Sequence, residues 1–229
     1  MRVTILQPTY WARTHVWNRI LTSDVFVWLD SVKFSRSSTK WEDRTIVESS
    51  DGRPIVLRLP LKGSRSSLWS AAGLNDGWSD HRTTISQCYS RRPFWPVVEA
   101  LLDPVYAPSA ETIDEVCWRT FTVVSSVLTP TCRVIRSSEL DVSSAKGQLV
   151  LDLVLAVGGT SYLSGGPGAT YLPQQEFDQA GVAIEVQNWE APTTRGGLRN
   201  PSVLHLLANS DLDETRHRLS THGADALNA

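Results

Sequence analysis

Apolar residues recur in short blocks along the chain, and the spacing of the first blocks carries the fold expectation. Arg2–Leu6 reads as a short strand, ended by Pro8, which has no N–H to give to a sheet ladder. Thr14 is placed to cap a helix running to about Leu21. Asp24–Asp30 (DVFVWLD) is an apolar run closed by carboxylates at both ends, the pattern of a strand buried on both faces. Strand, helix and strand within about thirty residues make a βαβ unit, which requires a parallel pair. The expectation is therefore an α/β protein. It has a mostly parallel, Rossmann-like sheet flanked by helices, with Val3–Leu6 beside Val25–Leu29.

The pattern then changes. Thr45–Glu48 and Ile55–Leu59 flank Asp51-Gly52, which predicts a β-hairpin excursion from the sheet. A helical segment follows. Ser79-Asp80 precedes a helix to about Tyr89, Pro93 stops it, and a second covers about Trp95–Leu102. Ser109 precedes a long amphipathic helix to about Leu128, ended near Pro130. Arg133–Ile135, Ser161–Leu163 and Val182–Gln187 read as strands. Ser143 or Ser144 caps an apolar helix to about Val157, closed by Gly158-Gly159. From Ser202 the tail reads as helix to His217. With no repeat and no linker, residues 1–229 are expected to form a single domain, with about 210–229 as a tail.

Composition narrows the function classes. Of 229 residues, 41% are hydrophobic, enough for a sizeable core. A net charge of −2 argues against a general nucleic-acid binder, and no apolar run suits a signal peptide or a membrane span. A cytoplasmic protein is expected. The charge is uneven: residues 1–70 hold 11 Lys and Arg against 6 Asp and Glu. That basic third suits an anionic ligand or an acidic partner, or is a chance excess on a solvated surface. Cys88, Cys117 and Cys132 are odd in number and widely spaced and form no CxxC pair, which argues against a zinc ribbon, and with no secretory signal reduced thiols are expected. Trp11, Trp17, Trp28, Trp41, Trp69 and Trp78 crowd the first third, as a Trp-rich core or an aromatic pocket.

Several phrases together resemble the WbqC-like family. The Gln7-Pro8-Thr9-Tyr10 start is similar to its QPxY opening, and Asp24–Asp30 with Val32-Lys33-Phe34 to its DVFVxLDDVQF segment. Trp41–Ile46 resembles its WxNRxxI segment. Lys62-Gly63, Trp78, His81, Ile85, Tyr89, Ser137–Leu140, Tyr162–Gly168 and Tyr171-Leu172 follow in the family's order. The ordered set runs from residue 1 to about Asn209. Ser31, Lys33, Asp43, Gly147-Gln148, Thr194 and His205 depart from the family pattern. The resemblance implies a small-molecule enzyme of a polysaccharide or specialised-metabolite pathway, beside sugar-amine chemistry.

The candidate site residues come from this match and from the predicted topology. In open α/β sheets ligands bind outside the carboxyl ends of the strands, where Gln7, Tyr10 and Asp30 are expected. Asp30, Lys33, Arg44 and Lys62 form a mixed-charge set that suits an amine and an anion, or else a structural ion-pair network. Ser164, Gly165 and Gly168 belong to a glycine-rich turn whose amides suit an anion, or to a plain turn, with Tyr162 and Tyr171 bracketing it. Glu139 is carried over from the family match. His81 shares a helical face with Trp78 and Ile85, as a core histidine or a proton acceptor. Cys88 lies about 10 Å along the helix from His81, too far for a Cys–His pair.

One pocket is expected to gather Gln7, Tyr10, Asp30, Arg44, His81 and Ser164. The expected reaction is acyl or aminoacyl transfer, forming an amide bond on a small-molecule amine without metal or cofactor. The donor would be carrier-protein-bound or nucleotide-activated. His81 or Asp30 would take the amine proton, and amides near Gly165 would support the developing oxyanion. A nucleotide-dependent transferase and a non-catalytic binding protein of a biosynthetic assembly are the alternatives.

Overall fold

A computed structural model describes residues 1–34, 42–62, 67–107, 109–170, 172–222 and 224–226. Along the chain, β1 (Arg2–Leu6) is followed by α1 (Thr14–Leu21) and β2 (Val25–Trp28). Next come the hairpin strands β3 (Arg44–Glu48) and β4 (Pro54–Arg58), then the short pair β5 (Leu61–Lys62) and β6 (Gly73–Leu74). Helices α2 (His81–Tyr89), α3 (Trp95–Tyr106) and α4 (Ile113–Leu128) precede β7 (Arg133–Arg136). The chain continues through α5 (Lys146–Ala156), β8 (Ser161–Ser164), α6 (Gly166–Ala169), α7 (Gln174–Gln179) and β9 (Ala183–Gln187). It ends with α8 (Val203–Asn209), α9 (Leu212–Ser220) and β10 (Ala224–Ala226).

The expected α/β architecture is present. Five strands are parallel, in the order β9-β8-β1-β2-β7, and β10 adds antiparallel to the β9 edge. β1 and β2 pair in parallel from Val3↔Val25 to Leu6↔Trp28, as the βαβ spacing predicts. On its other side β1 pairs with β8, Val3 opposite Tyr162. β3 and β4 form the expected hairpin outside this sheet, with Gly52 in its turn at φ +84°. No helix among the described residues is long and apolar enough to cross a membrane.

A parallel sheet must be covered on both faces, and the alternation along the strands builds two cores. Val3, Ile5, Val25 and Val27 pack with Leu153, Val154 and Phe177 from α5 and α7. Phe26 and Trp28 face the other way, into the helical layer. There Trp17 stacks on Phe121, with ring centroids 5.6 Å apart, and Phe26, Trp28 and Trp118 surround the same ring. The buried Trp11, Trp17, Trp28, Trp69 and Trp78 are core residues, whereas Trp41 lies outside the described residues.

Several element ends differ from the sequence expectation. α3 continues through Pro104 to Tyr106, because Val105 and Tyr106 are buried and outweigh the lost N–H. Thr112, rather than Ser109, caps α4 by accepting from the Glu115 N–H at 3.2 Å. Neither Ser143 nor Ser144 caps α5, which begins after Ala145. The tail forms two helices, since Asp211 Oδ1 accepts from the Glu214 N–H and starts a new one. The glycine-rich turn closes into the single turn α6.

Gly159 marks the tightest approach between β1 and α5. A Cβ there would stand 2.5 Å from Val3 Cγ2 and 2.7 Å from Val154 Cγ1. Gly159→Ala is expected to cost about 1–3 kcal/mol in urea unfolding, through overpacking. Gly166→Ala, where a Cβ meets nothing within 4 Å, is expected to leave the midpoint near wild type. Equal midpoints for the two variants would contradict this packing.

Candidate functional site

The order of the strands creates an opening. From β1 the chain moves to β2 and β7 on one side, and returns to β8 and β9 on the other. The loops leaving β1 and β8 therefore diverge, and a cleft of about 510 Å³ lies between them. Leu6, Gln7 and Thr9 line it from the β1 side, and Arg13, His15 and Arg19 from α1 and the residue before it. Tyr162, Ser164, Gly165 and Gly168 line it from the β8 side. Gln187, Asn200 and Glu42 complete its polar wall.

Asn200 fixes the entrance to α1. Its Oδ1 accepts from Thr14 Oγ1 at 2.8 Å and from the His15 N–H at 3.1 Å. The Thr14 N–H donates to the Pro201 carbonyl at 3.0 Å. The first amides of the helix are thus already used. With Oδ1 committed to two donors, Asn200 Nδ2 donates to His15 Nδ1 at 2.7 Å. The imidazole proton then sits on Nε2. Burial, then the neighbouring Arg19 and Arg13, push the His15 pKa down to about 3 and hold the ring neutral. Gln187 Nε2 donates to the His15 carbonyl at 2.9 Å and to Asn18 Oδ1 at 2.6 Å, tying β9 to α1.

Arg19, one turn beyond His15, is only 7% exposed. Its Nε has no hydrogen-bond partner, and no carboxylate among the described residues pairs with its guanidinium. Gly165 lies directly over it: a Cβ there would stand 3.3 Å from Nη1. Burial raises the Tyr162 pKa, while Arg19 and the Ser164 hydroxyl oppose the rise.

The structure distributes the residues singled out in the sequence over several places. Gln7, Tyr162, Ser164, Gly165 and Gly168 meet in the cleft, where Gln7 Oε1 also accepts from Trp69 Nε1 at 3.1 Å. Tyr10 and His81 are bonded to each other in a buried aromatic layer and do not line the cleft. There Trp11 Nε1 donates to the Tyr106 oxygen at 2.8 Å, and the Tyr106 and Tyr10 hydroxyls share a hydrogen bond. The Tyr10 hydroxyl and His81 Nδ1 are hydrogen-bonded at 2.9 Å.

Asp30 sits at the end of β2, one residue after Leu29, which does line the cleft. It accepts from Arg136 Nε, the Ser138 N–H and the Ser137 and Ser138 hydroxyls. Arg136 also pairs with Asp114 and lies over the Trp118 ring, 4.8 Å from its centroid. Asp30 thus belongs to an ion-pair network that joins β2, β7 and α4. Arg44 is buried on β3 beside Asp43. Lys33, Lys62 and Glu139 are exposed and line no part of the cleft, and Tyr171 lies outside the described residues. Asp30, Arg44 and His81 therefore do not share one pocket with Gln7 and Ser164. The three thiols are buried, and burial raises the pKa of Cys88.

Sequence reasoning missed Arg13, His15, Arg19, Glu42, Gln187 and Asn200. One signal was present: His15 and Arg19 stand four residues apart, on one face of the helix that follows the first strand.

A family model described as the WbqC-like protein family matches residues 7–215. No curated protein and no solved structure matches the chain.

Two half-buried histidines set an acid limit. His15 and His81 have folded pKa values of about 3 and about 4, against 6.5 for a free imidazole. Below pH 6.5 the unfolded chain takes up protons that the folded chain refuses. Stability is therefore full above pH 6.5 and falls as the pH drops towards 4 and then 3. In NMR titration the ring signals of both histidines are expected to stay at their neutral positions down to pH 5. A midpoint near 6.5 for either ring would contradict the assigned environment.

Proposed function

The chain belongs to the WbqC-like protein family, and from that premise and the cleft we propose a biosynthetic enzyme that transfers an acyl or aminoacyl group to a small-molecule amine. The observation that carries this reading is the polar cleft at the switch point between β1 and β8, where open α/β sheets hold their ligands. The donor is nucleotide-activated or carrier-bound. The strand order favours the nucleotide class, since it is that of the doubly wound dinucleotide-binding sheets.

The amine nitrogen attacks the donor's acyl carbon and forms the amide bond. The bond from that carbon to the donor's leaving oxygen or sulfur breaks, and the leaving group keeps the electron pair. The His15 Nε2–H, fixed by Asn200, donates to the oxygen on which charge develops. Its depressed pKa suits a neutral donor and not a base. Glu42, the one carboxylate among the described residues that line the cleft, receives the amine proton. Asp30 and His81, expected from the sequence as the base, are given positioning roles, since neither lines the cleft.

The test is turnover. The protein is incubated with amine acceptors and with nucleotide-activated or carrier-bound acyl donors, and products are read by mass spectrometry. His15→Phe is expected to lower kcat by about 10²–10³-fold, and Glu42→Gln by about 10²–10⁴-fold. His81→Phe and Asp30→Asn, outside the cleft, are expected to keep most of the turnover per folded molecule. Ligand binding without turnover for any donor would favour the non-catalytic binding protein instead.

A further inference from the structure

We infer that Arg19 is the seat of a phosphoryl group, so that the ligand of the cleft is a phosphate ester or anhydride whose oxygens complete the guanidinium's hydrogen bonding. The inference deepens the reading above, and rests on the cleft being the substrate site.

A buried guanidinium requires a counter-charge. An ion taken out of water without a partner costs several kcal/mol, so buried arginines are normally paired. This chain follows that rule elsewhere. Arg2 pairs with Glu185, Arg44 lies beside Asp43, Arg119 pairs with Glu115, and Arg136 bridges Asp30 and Asp114. Arg19 is more deeply buried than the partly exposed Arg2, Arg119 and Arg136, yet its Nε has no partner and no acid among the described residues compensates it. What faces it is the cleft. The missing negative charge therefore comes from the ligand.

The surroundings point to phosphoryl rather than carboxylate. Polar groups reach the cleft from two elements: the Arg19 guanidinium from α1 and the Tyr162 hydroxyl from β8, while the Ser164 hydroxyl beside them already donates to the Gly165 carbonyl at 3.0 Å. That spread suits the tetrahedral array of acceptor oxygens on phosphorus, where a planar carboxylate offers a single edge. The turn over the site is kept free of side chains for steric reasons. Any Cβ at Gly165 would press on Arg19 Nη1, and one at Gly168 would stand 2.9 Å from Ser164 Oγ. Gly166, by contrast, lines the cleft with open space around it. The first amides of α1 are occupied by Asn200 and Pro201, so the side chains, and not the helix end, hold the anion. A volume of about 510 Å³ leaves room beyond one phosphoryl group for the nucleoside or pantetheine arm of a donor.

The experiment titrates the full chain with inorganic pyrophosphate at fixed ionic strength, by calorimetry and thermal shift, with acetate as the carboxylate control. ATP and 4′-phosphopantetheine form separate arms that distinguish the two donor sources. Wild type is expected to bind pyrophosphate and to ignore acetate. Arg19→Met is expected to weaken binding by about 10–150-fold, the worth of hydrogen bonds to a charged group. The same substitution is expected to raise the Tm of the ligand-free protein, because it removes an uncompensated buried charge. A structural arginine would give the opposite sign. Gly166→Leu is expected to keep the fold and lose the binding. Equal pyrophosphate affinity in Arg19→Met, no binding to wild type, or a lowered ligand-free Tm in Arg19→Met would overturn the inference. Pyrophosphate binding needs no turnover. If it depends on Arg19 but no donor is consumed, the transfer reading fails and the phosphoryl site stands. If turnover proceeds unchanged in Arg19→Met, the reverse holds.

Discussion

β1 has a parallel neighbour on each side, and the chain leaves it in opposite directions. A parallel ladder is buried on both faces, so only the strand ends meet solvent. At the carboxyl ends of β1 and β8 the two loops must part, because one climbs into α1 and the other into the glycine turn and α6. That divergence opens the cleft. It brings residues 7–19 against residues 162–168, far apart in the chain, and lets Gln187 and Asn200 close the sides. The Val3, Val25 and Tyr162 register sets all of this geometry.

Within that frame the electrostatics are sharply divided. Asp30 has its oxygens filled by Arg136 and two serines, and Arg136 is itself divided between two carboxylates. Such a network holds strand ends and helix together and leaves little capacity for chemistry. The cleft is the reverse case. His15 is locked neutral by burial and by Asn200, and Arg19 is charged, buried and without an acid among the described residues. Local stability is given up there, which is what a binding site does when its ligand supplies the missing charge.

Much of the fold was legible because it is set locally. The βαβ spacing of the first thirty residues, the Asp51-Gly52 hairpin and the apolar block at α5 each follow from short-range pattern. Half of the cleft was legible too: Gln7 and the Ser164–Gly168 turn stand at strand ends, where topology alone puts ligand contacts. The other half was not. Arg19 lies on a helix with Val16, Trp17 and Ile20 and reads as an ordinary polar position until tertiary closure buries it. Asn200 and Gln187 act only because the returning chain docks on α1. Conversely, His81 and Tyr10 do meet across 71 positions, but their bond faces an aromatic layer with Trp11 and Tyr106. Helix periodicity alone does not reveal whether such a pair faces the core or a cleft.

The central claim is that the β1–β8 cleft is the ligand site and that its ligand answers the charge of Arg19. The most direct measurement is a crystal structure grown with pyrophosphate. Density for the anion is expected between the Arg19 guanidinium and the turn at Gly165, within hydrogen-bond distance of the arginine. Arg19 paired instead with a carboxylate of the protein itself, or the anion bound only at the exposed Lys33 and Lys146 surface, would contradict it.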